Sequence, residues 1–180
     1  MFKTKIIQQC LKGNRKAQLQ LYNKYCDAML KLAYRYLQQQ DLAEDAMQEA
    51  FIKAFKNLHK YDGSSTFGAW LKRIVIHQAI DDLRKNIRFL ELDENSEIST
   101  TDEHNWEVED HCAVEDVKHA LEQLPEKYKL VLKLFLMEGY DHEEISEILG
   151  ISINASRTQL HRGKILLKAE LKHRNYERFA

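Results

Sequence analysis

Proline occurs once in this 180-residue chain and glycine six times, so little in it interrupts a helix. Leu, Lys, Glu, Gln and Ala dominate instead, a composition that favours helix nearly throughout. Long apolar runs are also missing. No stretch approaches the roughly eighteen apolar residues that a bilayer-spanning helix needs, and the first residues hold no signal-peptide apolar core. A soluble, cytoplasmic protein without direct membrane insertion is the expectation. Cysteine is scarce: Cys10, Cys26 and Cys112 stand far apart, with no CxxC pair and no HExxH. The nearest approach to a metal site is His104, His111 and Cys112, which lack a fourth ligand at suitable spacing. Structural or incidental thiols are the simpler reading than a metal or redox switch. No Gly-rich phosphate loop, nucleophile–base set or catalytic carboxylate pair can be assembled, because Asp81-Asp82 and Glu143-Glu144 occupy neighbouring positions around a helix. No catalytic residue, metal, cofactor or small-molecule substrate is therefore expected.

What the chain does have is charge, unevenly distributed. The formal net charge of −1 conceals sixteen Lys/Arg against eight Asp/Glu in residues 1–90, and one against eleven in 91–120. Residues 154–180 are basic again, with seven against two. Two basic pieces flank an acidic strip, and basic patches attract polyanions by releasing counterions. Solvated helix faces would explain any one such patch, so position on particular helices has to decide.

Hydrophobic spacing predicts helices over 2–11 and 14–37, the second with Leu19, Leu21, Tyr22, Tyr25, Met29, Leu30 and Ala33 near one another. A third is predicted from Asp41 to about Leu58, opened by an Asp41/Glu44 capping box. Residues 59–66 read as a loop whose serines and threonine cap a fourth helix, Phe67 to about Arg88. Periodicity fails from Glu91 to about Asp110, where Trp106 is the one aromatic, and this reads as a linker. Helices resume near Ala113, with Pro125 in the first turn of a helix ending at Gly139. Asp141 and Glu144 predict a capping box for a short helix ending at Gly150, and Ser152 caps a last helix running past Leu171. The expected fold is all-α: two small helical domains joined by an acidic linker.

Residues 141–172 have the layout of a helix-turn-helix. Ile145, Ile148 and Leu149 face inward on the short helix, Gly150 permits a left-handed turn, and Ile151 plugs the space between the helices. The second helix has an inward stripe of Ile153, Ser156, Leu160, Gly163, Leu167 and Leu171, with small residues where a neighbour can approach. The opposite face carries Arg157, His161, Lys164 and Lys168, flanked by Asn154, Thr158 and Arg162. Asn154, Arg157, Thr158 and Gln159 suit base edges in a major groove, while Arg162, Lys164 and Lys168 suit phosphates. A helical hairpin with a wet polar face is the plainer alternative; turn, cap and basic face together favour DNA.

In the first half, helix 41–58 turns Ala43, Met47, Ala50, Phe51, Ala54 and Phe55 inward. Its other face shows Glu44, Asp45, Gln48, Glu49 and Lys53 around Ile52, which fits either an incidental exposed Ile or a protein partner. Helix 67–88 packs Phe67, Trp70, Leu71, Ile74 and Val75 inward and exposes Lys72, Arg73, His77, Arg84, Lys85 and Arg88. Tyr61, Phe67 and Trp70 stand at the head of that basic track, and aromatics beside cations are what unstacked bases need. Trp70 is equally suited to a core.

Three motifs in order along the chain resemble the extracytoplasmic-function (ECF) group of bacterial sigma factors. Asp41-Leu-Ala-Glu-Asp-Ala-Met-Gln-Glu-Ala-Phe-Ile-Lys-Ala-Phe55 is similar to the family's acidic helix that docks on the polymerase clamp. Phe67-Gly-Ala-Trp-Leu-Lys-Arg-Ile and Ile80-Asp-Asp-Leu-Arg-Lys85 resemble its helix for the minus-ten promoter element. Leu124-Pro-Glu-Lys-Tyr, Gly150-Ile-Ser and Leu160-His-Arg162 resemble its domain for the minus-thirty-five element. The resemblance implies a region 2-type domain over 1–90, an acidic linker over 91–112 and a region 4-type domain over 113–180. It implies as partners core RNA polymerase (the clamp of the β′ subunit, the flap of the β subunit), promoter DNA and an anti-sigma factor or other regulator. It implies, too, a nucleoid association through the polymerase, a base flipped near loop 59–66, and a linker threading toward the RNA channel. Ile76 and His77 stand where the family often has Arg and Asn, and Ser156, Gln159 and Gly163 where it commonly has Val, Arg and Ala. Those departures leave the target sequences unread. A stand-alone helix-turn-helix regulator is the alternative, but it gives no reason for the 41–55 face or the acidic strip.

Overall fold

The computed structural model describes residues 5–86 and 113–179. The expectations for Arg88, the acidic linker, Trp106 and the His104, His111, Cys112 group fall outside those residues. Among the described residues there are helices and turns and no strand. Two compact units lie within Met1–Glu91 and Leu92–Ala180.

The first unit comprises α1 (Lys5–Leu11), α2 (Arg15–Leu37), α3 (Gln40–Lys56) and α4 (Phe67–Asn86). Helices α2, α3 and α4 pack pairwise into a three-helix bundle, with α1 against α2. The reason α3 sits at the centre is its stripe of Ala43, Ala46, Ala50 and Ala54, all fully buried with Met47 and Phe51. Alanines bring neighbouring backbones close, and Phe51 then fills the space with a ring worth about 1.5–3 kcal/mol of burial. Tyr22 packs on that ring at 4.8 Å between centroids.

Three details differ from expectation. Asn14 caps α2 by accepting from Ala17 N–H (3.2 Å), so the helix proper begins at Arg15. The Asp41/Glu44 capping box does not form. With only Gln38 and Gln39 between α2 and α3, the chain re-enters helix at Gln40; Asp41 sits inside the first turn and Glu44 accepts from Gln40 Nε2 at 2.6 Å. Asp41 still favours that end through the helix dipole. Leu19, expected in the apolar stripe, is 60% exposed, because α2's inner face turns on Ala17 and Leu21 instead.

The second unit comprises α5 (Val114–Glu122), α6 (Glu126–Leu132), α7 (His142–Leu149) and α8 (Ile153–Phe179). Helices α5, α6 and α7 all pack on α8. Pro125 is the cap residue before α6, and α6 runs on into a turn of π-helix over Lys133–Met137, closed by Glu138 N–H donating to Lys133 O (3.2 Å). The expected helix to Gly139 is therefore interrupted by one wide turn, a rare feature that re-aims the side chains after it.

Lys133 heads that turn and is 2% exposed. Its ammonium bonds Glu122 at 2.8 Å, and Lys129 joins Glu122 (3.6 Å) and Glu126 (3.2 Å). Burial outweighs the Glu122 partner and pulls the Lys133 ammonium below the ordinary lysine range. The unfolded chain thus holds this proton where the folded chain has released it, between the lowered folded value and 10.5. Stability contributed by this group therefore rises with pH across that window. Lys133→Met is expected to flatten the rise and to be neutral or stabilising at neutral pH, while Glu122→Ala costs up to about 3 kcal/mol by stranding a buried charge. Denaturant midpoints at matched pH values read both effects.

Candidate nucleic-acid and protein interfaces

The turn between α7 and α8 is built from local bonds that hold the two helices at a fixed angle. Asp141 accepts from Glu144 N–H (2.8 Å) and Glu144 accepts from Asp141 N–H (3.2 Å), completing the predicted capping box. Gly150 ends α7 in the left-handed region at φ 60°, ψ 36°, where a side chain would be strained. Ser146 then closes the turn twice, its hydroxyl donating to Ile151 O (2.6 Å) and its carbonyl accepting from Ile151 N–H (3.2 Å). Ser152 Oγ accepts from Ala155 N–H (3.0 Å) and starts α8.

Helix α8 buries Ser156, Leu160, Gly163, Leu167 and Leu171 as predicted; Ile153 is instead exposed, since it lies at the helix start ahead of the packed turns. At Gly163 α6 approaches closely: an added Cβ would lie 3.0 Å from Leu132 Cδ1. On the opposite face Asn154, Arg157, His161 and Lys168 are exposed, with Thr158, Gln159, Arg162 and Lys164 half-buried beside them. At about 100° per residue, Asn154, Arg157, Thr158, His161 and Lys168 fall within about 100° of one another, Arg162 and Lys164 lie at the edges of that face, and Gln159 lies round toward the buried stripe, about 40° from Gly163. The Lys164 ammonium lies 5.6 Å from the Phe135 ring centroid, and the same ring stacks on His142 at 5.4 Å. His142 Nδ1 in turn is 2.9 Å from Ser156 Oγ. Sequence reasoning missed Phe135, His142 and Lys133; for Lys133 part of the signal was present, since Glu126, Lys129 and Lys133 recur at helical spacing after Pro125, while Glu122 comes from the preceding helix.

At the head of α4, Tyr61, Phe67 and Trp70 form a cluster with centroids 5.4 to 5.8 Å apart, backed by Tyr25 against Phe67 at 5.5 Å. Loop geometry fixes it: Tyr61 Oη donates to Ser65 O (2.7 Å), Asp62 accepts from Ser64 N–H (2.8 Å), and Thr66 Oγ1 caps α4 by accepting from Ala69 N–H (3.2 Å). Tyr61 and Phe67 are each only 7% exposed, whereas Trp70 is half-buried. Burial, reinforced by Asp62 and Tyr25, pushes the Tyr61 phenol up. Of the three aromatics, Trp70 offers the open face and the other two support it.

The basic residues of α4 do not form one track. At about 100° per residue, Trp70, Arg73, His77 and Arg84 fall within about 60° of one another, and Lys72 lies about 100° or more from them. Lys85 is a quarter-turn off and pairs with Asp82 at 2.9 Å, which raises its pKa. Gln78, inside the bundle, donates to the other oxygen of Asp82 at 2.6 Å.

The outer face of α3 is a patch of a different kind. Ile52 is 44% exposed at its middle, with Asp45, Gln48, Glu49 and Lys53 exposed and Glu44 half-buried around it. No group of three or more His, Cys, Asp or Glu able to hold a metal ion occurs among the described residues, and no helix among them is long and apolar enough to cross a membrane.

Comparison with known proteins gives these surfaces a family. Residues 21–89 match the family model described as Sigma-70 region 2, and residues 115–167 the one described as Sigma-70, region 4. The ECF RNA polymerase sigma factor SigW of Bacillus subtilis (strain 168) is 33% identical, with 93% of this chain and 96% of SigW covered. The RNA polymerase sigma factor YlaC of the same organism is 30% identical over 88% of this chain and 94% of YlaC. Among solved structures, the sigma factor RpoE in complex with the anti-sigma factor NepR from Bartonella quintana aligns with a TM-score of 0.54 at 22% identity, covering 85% of this chain and 95% of RpoE. That last likeness is one of fold. The chain belongs to the ECF RNA polymerase sigma factors of the sigma-70 family, the initiation subunits of bacterial transcription.

Removing the carboxylate that opens the helix-turn-helix tests how far the turn depends on it. Asp141→Ala is expected to cost about 1 kcal/mol, measured as a lower denaturant midpoint at unchanged helix content.

Proposed function

We propose that the two units divide promoter recognition between them, with α3 holding the polymerase. In this reading α8 enters the major groove of the minus-thirty-five element. Asn154, Arg157, Thr158 and Gln159 read base edges there, while His161, Arg162, Lys164 and Lys168 meet phosphates further along. Helix α4 takes the minus-ten element. Trp70 stacks on an unpaired base of the non-template strand, Tyr61 and Phe67 brace it, and Arg73, His77 and Arg84 follow the strand's backbone, with Lys72 and Lys85 adding charge from either side. Unstacking a base there costs a few kcal/mol, which stacking and the backbone contacts offset, so melting nucleates at that point.

The face of Glu44, Asp45, Gln48, Glu49, Ile52 and Lys53 meets a basic surface on the clamp of the β′ subunit, Ile52 entering an apolar depression and the carboxylates pairing around it. The second unit also meets the flap of the β subunit. The domain limits proposed are 1–90 for polymerase and minus-ten binding, 91–112 for the acidic linker, and 113–180 for minus-thirty-five binding. The protein works in the cytoplasm, on the nucleoid through the polymerase, without catalytic chemistry of its own. An anti-sigma factor, the kind of partner that NepR is for RpoE, would hold it inactive by covering these same faces.

The observation that carries this reading is the exposed acidic face with Ile52 at its centre, present in the same chain as the helix-turn-helix. A stand-alone regulator needs only the second. Run-off transcription with purified core polymerase is the direct test; absence of promoter-specific initiation would sink the reading. Arg157→Ala is expected to weaken minus-thirty-five binding by about 1–3 kcal/mol if it makes a bidentate base contact, and an unchanged footprint would refute that role. Charge reversal at Asp45 and Glu49 is expected to lower affinity for core polymerase in a pull-down, while binding of a promoter duplex by the free chain is unaltered.

A further inference from the structure

Ser156 is fully buried on the inner side of α8, in a stripe otherwise made of Leu160, Gly163, Leu167 and Leu171. A hydroxyl in such a stripe gives nothing to apolar packing and must find a partner. It finds one on the other helix of the motif: His142 Nδ1, 2.9 Å away, on the first residue of α7. His142 is itself held by stacking on Phe135 at 5.4 Å and 27° between planes. Phe135 lies within the π-helical turn Lys133–Met137, and its ring also sits 5.6 Å from the Lys164 ammonium, two turns along α8 from Ser156. One ring, aimed by one wide turn, therefore meets α8 at two places, through His142 at Ser156 and directly at Lys164.

From this geometry we infer that His142 is a positioning residue for promoter reading, and that Phe135 orients it. The leucine contacts of α8 are non-directional and tolerate small rotations of the helix about its axis. A hydrogen bond does not, since it weakens steeply with misalignment. Ser156 is adjacent to Arg157 and two residues from both Asn154 and Thr158, so the bond acts at the turn assigned to base edges. Rotating α8 enough to misplace Arg157 breaks the Ser156–His142 bond and leaves a buried hydroxyl unpaired. The bond thus sets the azimuth of the recognition helix, while Lys164 over Phe135 sets where the next cation down the helix begins. The inference rests on the assignment of α8 to the minus-thirty-five element.

The test uses holoenzyme assembled from core polymerase and the full chain. Its probe is the duplex that the wild-type holoenzyme selects from a promoter pool randomised over the minus-thirty-five element, compared with the same duplex carrying a scrambled element. Ser156→Ala, which removes the hydroxyl without adding bulk at this fully buried position, and His142→Ala are each expected to reduce preference for the selected duplex about tenfold, the size of one lost net hydrogen bond. His142→Asn, which keeps a hydrogen-bonding group at that position, restores part of it. The double alanine variant is expected to lose no more than either single one, because both remove the same bond. Opening of a template whose minus-ten element is already forked stays at the wild-type value for both variants. Full preference retained by Ser156→Ala overturns the inference, as does an equal loss on selected and scrambled duplexes. Failure of the wild-type holoenzyme to select any minus-thirty-five sequence would instead overturn the assignment of α8 itself.

Discussion

Close approach of helices at small residues is the constraint on which both units depend. A unit of about ninety residues buries a modest share of its surface, so each buried side chain must meet several neighbours for the fold to hold. In the first unit the Ala43, Ala46, Ala50 and Ala54 stripe lets α2 and α4 close on α3, and the larger Met47 and Phe51 fill the seam. In the second, Gly163 and Ser156 do the same for α8 against α6 and α7. Bulk on any of these positions would push apart the helices whose outer faces carry the charge. The outer faces are where they are because the inner ones are so thin.

That economy explains how a helix can pack closely inward and still present a continuous outer face. Helix α3 spends its small residues inward and is left with a continuous outer face, which accommodates Ile52 among carboxylates without disturbing the core. Helix α4 spends bulky residues inward, with Leu71, Val75, Ile76, Ala79, Ile80 and Leu83 all buried. Its outer face is correspondingly narrow: Trp70, Arg73, His77 and Arg84 share it with Asp81, which lies about 20° from Trp70 around the axis. The departure of Ile76 and His77 from the common family pattern follows the same geometry: Ile76 is fully buried and cannot touch DNA, whereas His77 is exposed on the stripe with Arg73.

How much of this the sequence disclosed depended on the range of the interactions responsible. The helix-turn-helix was legible because its determinants are local: a capping box four residues long, a glycine at the left-handed position and a serine cap. The inward stripe of α8 followed from periodicity alone. Where a distant element decides, the sequence left the choice open or misled. Tyr61, Phe67 and Trp70 stood at the head of a basic track, with Phe67 and Trp70 also suited to the core; Tyr25 arrives from α2 against Phe67, and Tyr61 and Phe67 are buried while Trp70 is half-buried. The proposed cap at Asp41 failed because the short α2–α3 connection, not the local sequence, sets where α3 begins.

The π-helical turn joins these threads. Its sequence, Lys133-Leu-Phe-Leu-Met137, gives no local sign of a wide turn, and an unbroken α-helix to Gly139 is what its composition favours. Lys133 bonds Glu122, and Phe135, two residues on, stacks on His142. In a regular helix, residues two apart point about 160° away from each other, so these two side chains serve opposite sides of one short segment. A hydrogen bond of the regular ladder is exchanged for one from Glu138 N–H to Lys133 O. The buried ion pair of Lys133 and the ring that holds His142 thus both issue from this one wide turn, and the same ring lies 5.6 Å from the Lys164 ammonium on α8.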